Sequence, residues 1–321
     1  MKVLVVPSWY PSIGSELSGI FVQDQAEVLS AEHDVAVLYP TVENWRVLFR
    51  GVSKWDVESW DRLTVARPTV LRRPRDNGQS GYHNAFVRGV RSGSRVLERS
   101  WGRPDVVHAH VAVSGGWAAC AVADRAAVPL VLTEHSSPFS ARLTTESDRR
   151  GVDLALNTAR LILPVGETPE AEIKEYAASR GIDVLGRMQV LGNVVRTDYF
   201  GVSESAVTAS PPLFLTVSVL SPQKDIASLL RAARLLLDRR REFRLVIGGD
   251  GPLAGELQGL CRELGLGAVC EFAGQMSREQ VRLRLQSCTA LVSSSVHESF
   301  GIAVAEAMAC GARGSHAERR P

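Results

Sequence analysis

The chain has 321 residues, 45% of them apolar and 22% charged, with a formal net charge of +2. That length suggests two domains, the apolar content excludes disorder as the general state, and the charge balance excludes a nucleic-acid binder. Five cysteines (Cys120, Cys261, Cys270, Cys288 and Cys310) are odd in number and form no C-x-x-C pair, so neither a disulfide framework nor a zinc site is expected.

The chain opens with VLVV (3–6), a buried-strand pattern that Pro7 ends. That run is too short for a signal-peptide core, and no stretch approaches the apolar length of a membrane span. We expect a cytoplasmic protein, with a peripheral contact at the inner face of the membrane kept open. A helix over 19–30 and a strand over 35–40 follow. Residues 41–80 break the rhythm: Trp45, Phe49, Trp55 and Trp60 precede Arg62, Arg67, Arg72, Arg73 and Arg75. They read as an extended excursion whose aromatics pack on the first domain, or as a basic lip for an anionic or lipid-linked acceptor. Strands at 105–111, 129–133 and 161–165 and a small-residue helix over 115–126 continue the series. Such alternation implies a parallel sheet with helices on both faces.

A Ser/Ala/Thr-rich stretch, 202–210, reads as a linker, and the pattern restarts. Strands at 211–220, 243–249, 268–274 and 289–295 alternate with helices at 226–240, 252–264 and 277–286, and a last helix begins near Gly301. The expected architecture is α/β, two doubly wound Rossmann-like units facing a cleft: 1–205, 206–311, and a short tail over 312–321. Ligands of such sheets sit beyond the carboxyl ends of the strands.

The most informative segment is HESFGIAVAEAMACG (297–311). Glu298 and Glu306 could form a glycosidase carboxylate pair, but eight residues of helix span about 12 Å, whereas paired glycosidase carboxyls lie about 5–9.5 Å apart. Different tasks suit them better. Glu298 would accept hydrogen bonds from ligand hydroxyls, the backbone N–H groups near Ser299, Phe300, Gly301 and Ile302 would face an anion at a helix start, and Glu306 would bind a ribose diol. A nucleotide-diphosphate sugar would meet all three; an amphipathic helix with two solvated acids is the bland alternative.

This segment resembles the Glu-x7-Glu signature of the family 4 retaining glycosyltransferases (group 1, GT-B fold). PSWYPSIGSELSGIFVQDQAEVL (7–29), DVVHAHVAVSGGWAA (105–119), PLVLTEHSSPF (129–139), LGNVVRTDYF (191–200), LTVSVLSPQKD (215–225) and LVIGGDGP (245–252) resemble the family's other landmarks in the same order. The resemblance implies that Lys224 neutralises the leaving diphosphate and that His110 faces the donor sugar. His108 is assigned to the opposite face of its strand and a structural role. Gly14 and Gly19 would let backbone approach phosphate or acceptor, Gly249 and Gly251 would shape a turn beside the nucleotide, and Glu134 and His135 would line the acceptor side. The implied reaction is hexosyl transfer with retention, from a UDP- or GDP-type sugar to a cell-surface polysaccharide or glycolipid. It needs no cofactor and no metal; no Asp-x-Asp dyad is placed to hold one.

Two departures stand out. Where the family often carries Arg in the phosphate strand, this chain has Val219. After Ala309-Cys310-Gly311 the family continues with an apolar strand, whereas here ARGSHAERRP follows and the second domain is expected to be incomplete. One nucleotide inserted into codons for G-A-P-V-V-T-P-S-G-G yields residues 311–320, so a shifted frame would account for the tail. The expected consequence is an uncovered sheet edge at 289–295 or a neighbour, and weak or absent activity. A non-catalytic nucleotide-binding remnant is the competing reading; a nucleotide-sugar epimerase is the third.

Overall fold

A computed structural model describes residues 1–12, 14–44, 55–73, 76, 78–203 and 209–316. Contacts divide the chain into two compact units, Met1–Val194 and Val195–Pro321. Residues 195–203, which sequence placed with the first unit, belong to the second: Phe200 is buried in the second unit's core with Leu215, Val246 and Leu291.

In the first unit the sheet order is β3-β5-β2-β1-β6-β7-β8, with β4 on β5. The strands are β1 (Lys2–Pro7), β2 (Asp34–Leu38), β3 (Thr41–Glu43), β4 (Trp55–Trp60), β5 (Leu63–Leu71), β6 (Val106–His110), β7 (Leu130–Glu134) and β8 (Leu161–Pro164). All pairings are parallel except β4 with β5. The continuous apolar runs in β1 and β2 reflect helices on both faces. One face buries Val3, Val5, Val35 and Val37 with α1 (Ile20–Ser30). The other buries Leu4, Val6, Leu38, Val107 and Leu132 with α2 (Gly78–Ser100), α3 (Trp117–Ala126) and α4 (Glu146–Thr158). Helix α5 (Glu167–Ser179) follows β8.

The described strands of residues 41–80, β3, β4 and β5, are part of the first sheet rather than an excursion from it. Strand β5 pairs along β2, and Trp55 packs against the first-unit core. Two of the arginines are engaged locally: Arg67 donates to the Pro11 carbonyl and lies over the Tyr10 ring, and Arg72 donates to the Asp76 and Gly78 carbonyls. Trp45, Phe49 and Arg75, and the Trp60 side chain, lie outside the described residues.

The second sheet runs β11-β10-β9-β12-β13, all parallel. Its strands are β9 (Leu213–Val217), β10 (Arg244–Gly248), β11 (Cys270–Gly274), β12 (Ala290–Ser293) and β13 (Arg313–His316). Helices α6 (Ile226–Asp238) and α7 (Ala254–Glu263) pack on one face around Leu220, Leu230, Ile247 and Leu257, and α8 (Arg278–Ser287) and α9 (Ile302–Ala309) on the other around Leu215, Leu285, Leu291 and Ala307. The tail decides between the two expected edges, 289–295 or a neighbour: among the described residues the neighbour β13 ends this side of the sheet. Arg313–His316 pairs in parallel with β12, so β12 is flanked by β9 and β13 and is no bare edge. Gly314 makes the fit close: a Cβ there would stand 2.7 Å from Val304 Cγ1 of α9.

Candidate functional site

In the second unit the site grows from the loop after β9. Gly249 lets that loop close: its φ is +121°, and a Cβ would lie 1.9 Å from the Ser218 carbonyl oxygen. The 249–251 turn therefore crosses the backbone at Ser218–Leu220, where Gly251 lies against Leu220 and the Leu220 N–H donates to the Asp250 carbonyl at 2.9 Å. Chain direction then reverses through a single 3₁₀ turn, Pro222–Lys224, and Asp225 caps α6.

Three hydrogen bonds tie this turn to the loop between β12 and α9. The Val296 N–H donates to the Gln223 carbonyl at 2.9 Å, Gln223 Nε2 to the His297 carbonyl at 3.0 Å, and Ser294 Oγ to the Lys224 carbonyl at 2.8 Å. Lys224 Nζ consequently meets Glu298 Oε2 at 2.8 Å, 74 residues away in sequence. The pair faces a cavity of about 210 Å³ whose walls include Thr216, Ser218, Ser295, Gly301 and Ile302. Helix α9 starts there, with Gly301 in the left-handed region (φ +79°) and no side-chain cap on its first N–H groups. Uncapped amides at a helix start carry partial positive charge and suit an anion. Ser218 Oγ, buried in the same wall with no hydrogen-bond partner among the described residues, is a further free hydroxyl.

The structure therefore brings Lys224, Glu298, Gly301 and Ile302 to one cavity. Ser299 and Phe300 fall in the adjoining loop and Glu306 one turn further along α9; none of these three lines the cavity, nor do Gly249 and Gly251. Val219 is 62% exposed and outside the lining.

The first-unit candidates form a separate cluster. His110 Nδ1 and His135 Nε2 lie 2.9 Å apart, and His108 Nε2 bonds Thr133 Oγ1 at 2.7 Å. The assignment of His108 to the opposite face is corrected: its ring centroid is 4.3 Å from that of His110. A strand alternates with period two, so residues i and i+2 share a face. Burial pushes all three imidazoles down, His108 to about 4, His135 to about 3 and His110 well below its ordinary value, with mutual repulsion adding for His110 and His135. The cluster is thus neutral near pH 7. Glu134 is buried and its carboxyl raised by burial, partly offset by backbone donors. Its oxygens accept the Ala112 and Ser136 N–H groups at 2.8 Å each, so it staples two turns together. Gly19 is required where it stands: a Cβ would lie 2.3 Å from the Trp9 carbonyl oxygen, whereas Gly14 faces open space.

Among the described residues no group of three His, Cys, Asp or Glu is arranged to hold a metal ion, and no helix is long and apolar enough to cross a membrane.

The sequence pattern of the family described as Glycosyltransferase Family 4 matches residues 18–199, more than half of the chain, and that described as Glycosyl transferases group 1 matches 202–312. The chain belongs to glycosyltransferase family 4. Its relatives include a D-inositol 3-phosphate glycosyltransferase of Streptomyces avermitilis, 30% identical over 64% of this chain and 49% of that protein. A Bacillus subtilis protein named for teichuronic acid biosynthesis is 26% identical over 96% of this chain and 79% of its own length. This family 4 chain spans about half the length of the D-inositol 3-phosphate glycosyltransferases it matches. Its fold is GT-B. It resembles sucrose-phosphate synthase of Thermosynechococcus elongatus (TM-score 0.71, 17% identity, 98% of this chain and 81% of that one) and Anabaena HepE in complex with UDP and glucose (TM-score 0.68, 17% identity, 98% and 80%).

Proposed function

We propose that this chain is a retaining glycosyltransferase of the hexosyl type, taking sugar from a UDP- or GDP-linked donor to a cell-surface polysaccharide or glycolipid acceptor without a metal ion. The observation that carries the reading is the Lys224–Glu298 pair set in a cavity against the uncapped start of α9. Negative charge grows on the diphosphate as the glycosidic bond breaks, and a fixed cation with helix-start amides stabilises that charge without reorganising. A diphosphate arriving there would compete with Glu298 for Lys224. The displaced carboxylate would then accept hydrogen bonds from sugar hydroxyls, the division of labour expected of the Glu-x7-Glu signature. Departure and attack on one face of the sugar would retain its configuration. In the first unit, the neutral His110–His135 pair has ring nitrogens suited to a sugar hydroxyl. The HepE structure, titled with UDP and glucose, lends support to a uridine donor.

The test is titration of the full chain with UDP- and GDP-sugars, followed by measurement of donor turnover with and without glycan acceptors. Saturable donor binding with acceptor-dependent release of the nucleoside diphosphate is expected. Binding without any turnover would support the non-catalytic reading instead, and no binding of either nucleotide would overturn both.

A further inference from the structure

We propose that the exposed side of α6, with the turn that ends it, rests on the anionic surface of a lipid bilayer. The surface belongs to the second unit alone and does not rest on the transferase function above. Helix α6 (Ile226–Asp238) buries Ile226, Leu230 and Ala233 against its sheet. Its outward side carries Arg231 and Leu235, and Arg239 caps the helix one turn further on. All three are exposed, Leu235 by 60%. At a spacing of four they stand one above another on successive turns.

The row continues into Arg240 and Arg241, both exposed. None of these four arginines makes an ion pair among the described residues, whereas the acids of the neighbouring segments are mostly engaged. Asp238 pairs with Arg234, and Glu271 with Arg244 and Arg284. Over residues 231–242 that leaves Arg231, Arg239, Arg240 and Arg241 against the single carboxylate of Glu242. The surface there is strongly positive although the whole chain is nearly neutral.

The turn holds this charge in an unfavourable backbone conformation. The Arg241 N–H donates to the Leu236 carbonyl at 3.1 Å and the Arg240 N–H to the Leu237 carbonyl at 2.9 Å, the paired closure of a Schellman motif. The residue at the left-handed position of that motif is ordinarily glycine; here it is Arg240, at φ +54°. Arginine at a helix end also meets the negative pole of the helix dipole, which accounts for Arg239. It accounts neither for an arginine in the left-handed region, nor for Arg231 two turns earlier, nor for the bare leucine between them.

Leu235 is what points to a bilayer rather than to another polyanion. An apolar side chain flanked by guanidiniums can enter the boundary of the acyl chains while its neighbours stay among the phosphates. A flexible acidic polymer offers the arginines the same charge but gives the leucine nowhere to go. Arg239 also lies about 20 Å along the helix from the Lys224 turn, so contact at this face leaves the Lys224 cavity open.

The test is co-sedimentation of the full chain with vesicles of phosphatidylcholine, with and without a third of phosphatidylglycerol. Binding is expected only where phosphatidylglycerol is present, and it should weaken as salt is raised. R240G should melt no lower than the native chain, since glycine suits the turn, yet bind anionic vesicles about five-fold more weakly. R231Q/R239Q/R240Q/R241Q should lose affinity on the order of several hundred-fold. L235Q should weaken binding to vesicles and leave binding to heparin, an acidic polymer with no apolar phase, unchanged. R91Q/R95Q/R99Q, which discharges the exposed arginines of α2, should keep most of the affinity. No binding to anionic vesicles, equal binding to neutral ones, a loss in the α2 variant but not in the α6 variant, or native affinity in L235Q would overturn the proposal. UDP titration separates the two claims: the α6 variants should bind the nucleotide as the native chain does. A native chain that sits on vesicles through α6 but binds no nucleotide keeps this surface and loses the transferase function.

Discussion

Replacing Lys224 by methionine tests the second-unit site most directly, because its two effects can be separated. The first is loss of a charged hydrogen-bond donor to the diphosphate, about 1.5–3 kcal/mol. The second is that Glu298, 2.8 Å from the ammonium in the native chain, would stand without its partner beside an arriving anion. Two like charges at about 4 Å repel by up to about 4 kcal/mol at an effective dielectric of 20, less as Glu298 swings away. Together they should weaken UDP or GDP binding by about 2–4 kcal/mol, on the order of 30- to 700-fold. E298Q alone should bind the bare nucleoside diphosphate as tightly as the native chain or more so, since a competitor for Lys224 is gone. The double variant K224M/E298Q should recover the repulsive part and bind better than K224M. Stability should fall by about 1–3 kcal/mol in K224M, because both side chains are only about a quarter exposed and Glu298 is left without its partner. Calorimetric titration with both nucleotides, alongside urea unfolding of each variant, reads all of this. Unchanged affinity in a folded K224M, or a double variant weaker than the single one, would refute the reasoning.

Three further outcomes follow from packing and burial. G249A places a Cβ 1.9 Å from the Ser218 carbonyl at a φ of +121°, so it should cost more than about 2 kcal/mol by scanning calorimetry; a native-like melting profile would show that the 249–251 turn is not held closed there. G89A in α2 should gain about 1 kcal/mol of helix propensity, yet its Cβ would meet Val70 Cγ2 at 2.6 Å and Pro40 Cβ at 2.7 Å, so a net loss of stability is expected. A stabilised G89A would mean that α2 can lift from β5 at little cost. The buried histidines should make stability acid-sensitive: the folded state keeps His108 neutral down to about pH 4 and His135 to about 3, while the unfolded chain takes up protons near 6.5. Their contribution is complete above that value and falls as pH drops, by about 1.4 kcal/mol per pH unit for each ring. H108Q should therefore flatten the decline measured between pH 6.5 and 5, above the carboxylate range, and an unchanged slope would argue against a neutral buried His108.

Much of the fold was legible because strands buried on both faces announce themselves as short Val/Leu/Ile runs, as in β1, β9 and β10. Helix α2 was not, since GQSGYHNAFVRGVRSGSRVLERS is rich in glycine and serine, poor helix formers. The structure shows why they are there: Gly81, Ala85, Gly89, Gly93 and Leu97 recur every fourth residue, and Gly89 and Gly93 bring the helix against Val70, Pro40 and Pro68. Low propensity was exchanged for close approach, a choice visible only once the partner strand is known. The 313–316 strand was missed for a related reason: Arg-Gly-Ser-His has no apolar periodicity, and its pairing depends on an available neighbour in β12 and on a glycine beneath Val304. At the site, Lys224 and Glu298 carry no local signal that they meet; the resemblance supplied their roles, and the hydrogen bonds between their loops supply the contact. Ser218 was passed over, because nothing in the linear sequence distinguishes a buried hydroxyl from an ordinary one.

The strap formed by Gln223, Ser294 and Val296 has a bearing on how ligands are received. Because it splices the Lys224 turn to the Glu298 loop, cation and carboxylate are carried on a single stiff mount rather than on two independent arms. Their relative position is fixed when the unit folds, so a visitor spends none of its affinity on assembling them. Loosening the strap, without touching either charge, should slow capture and blur selectivity between nucleotides while leaving the electrostatics of the hollow as they are.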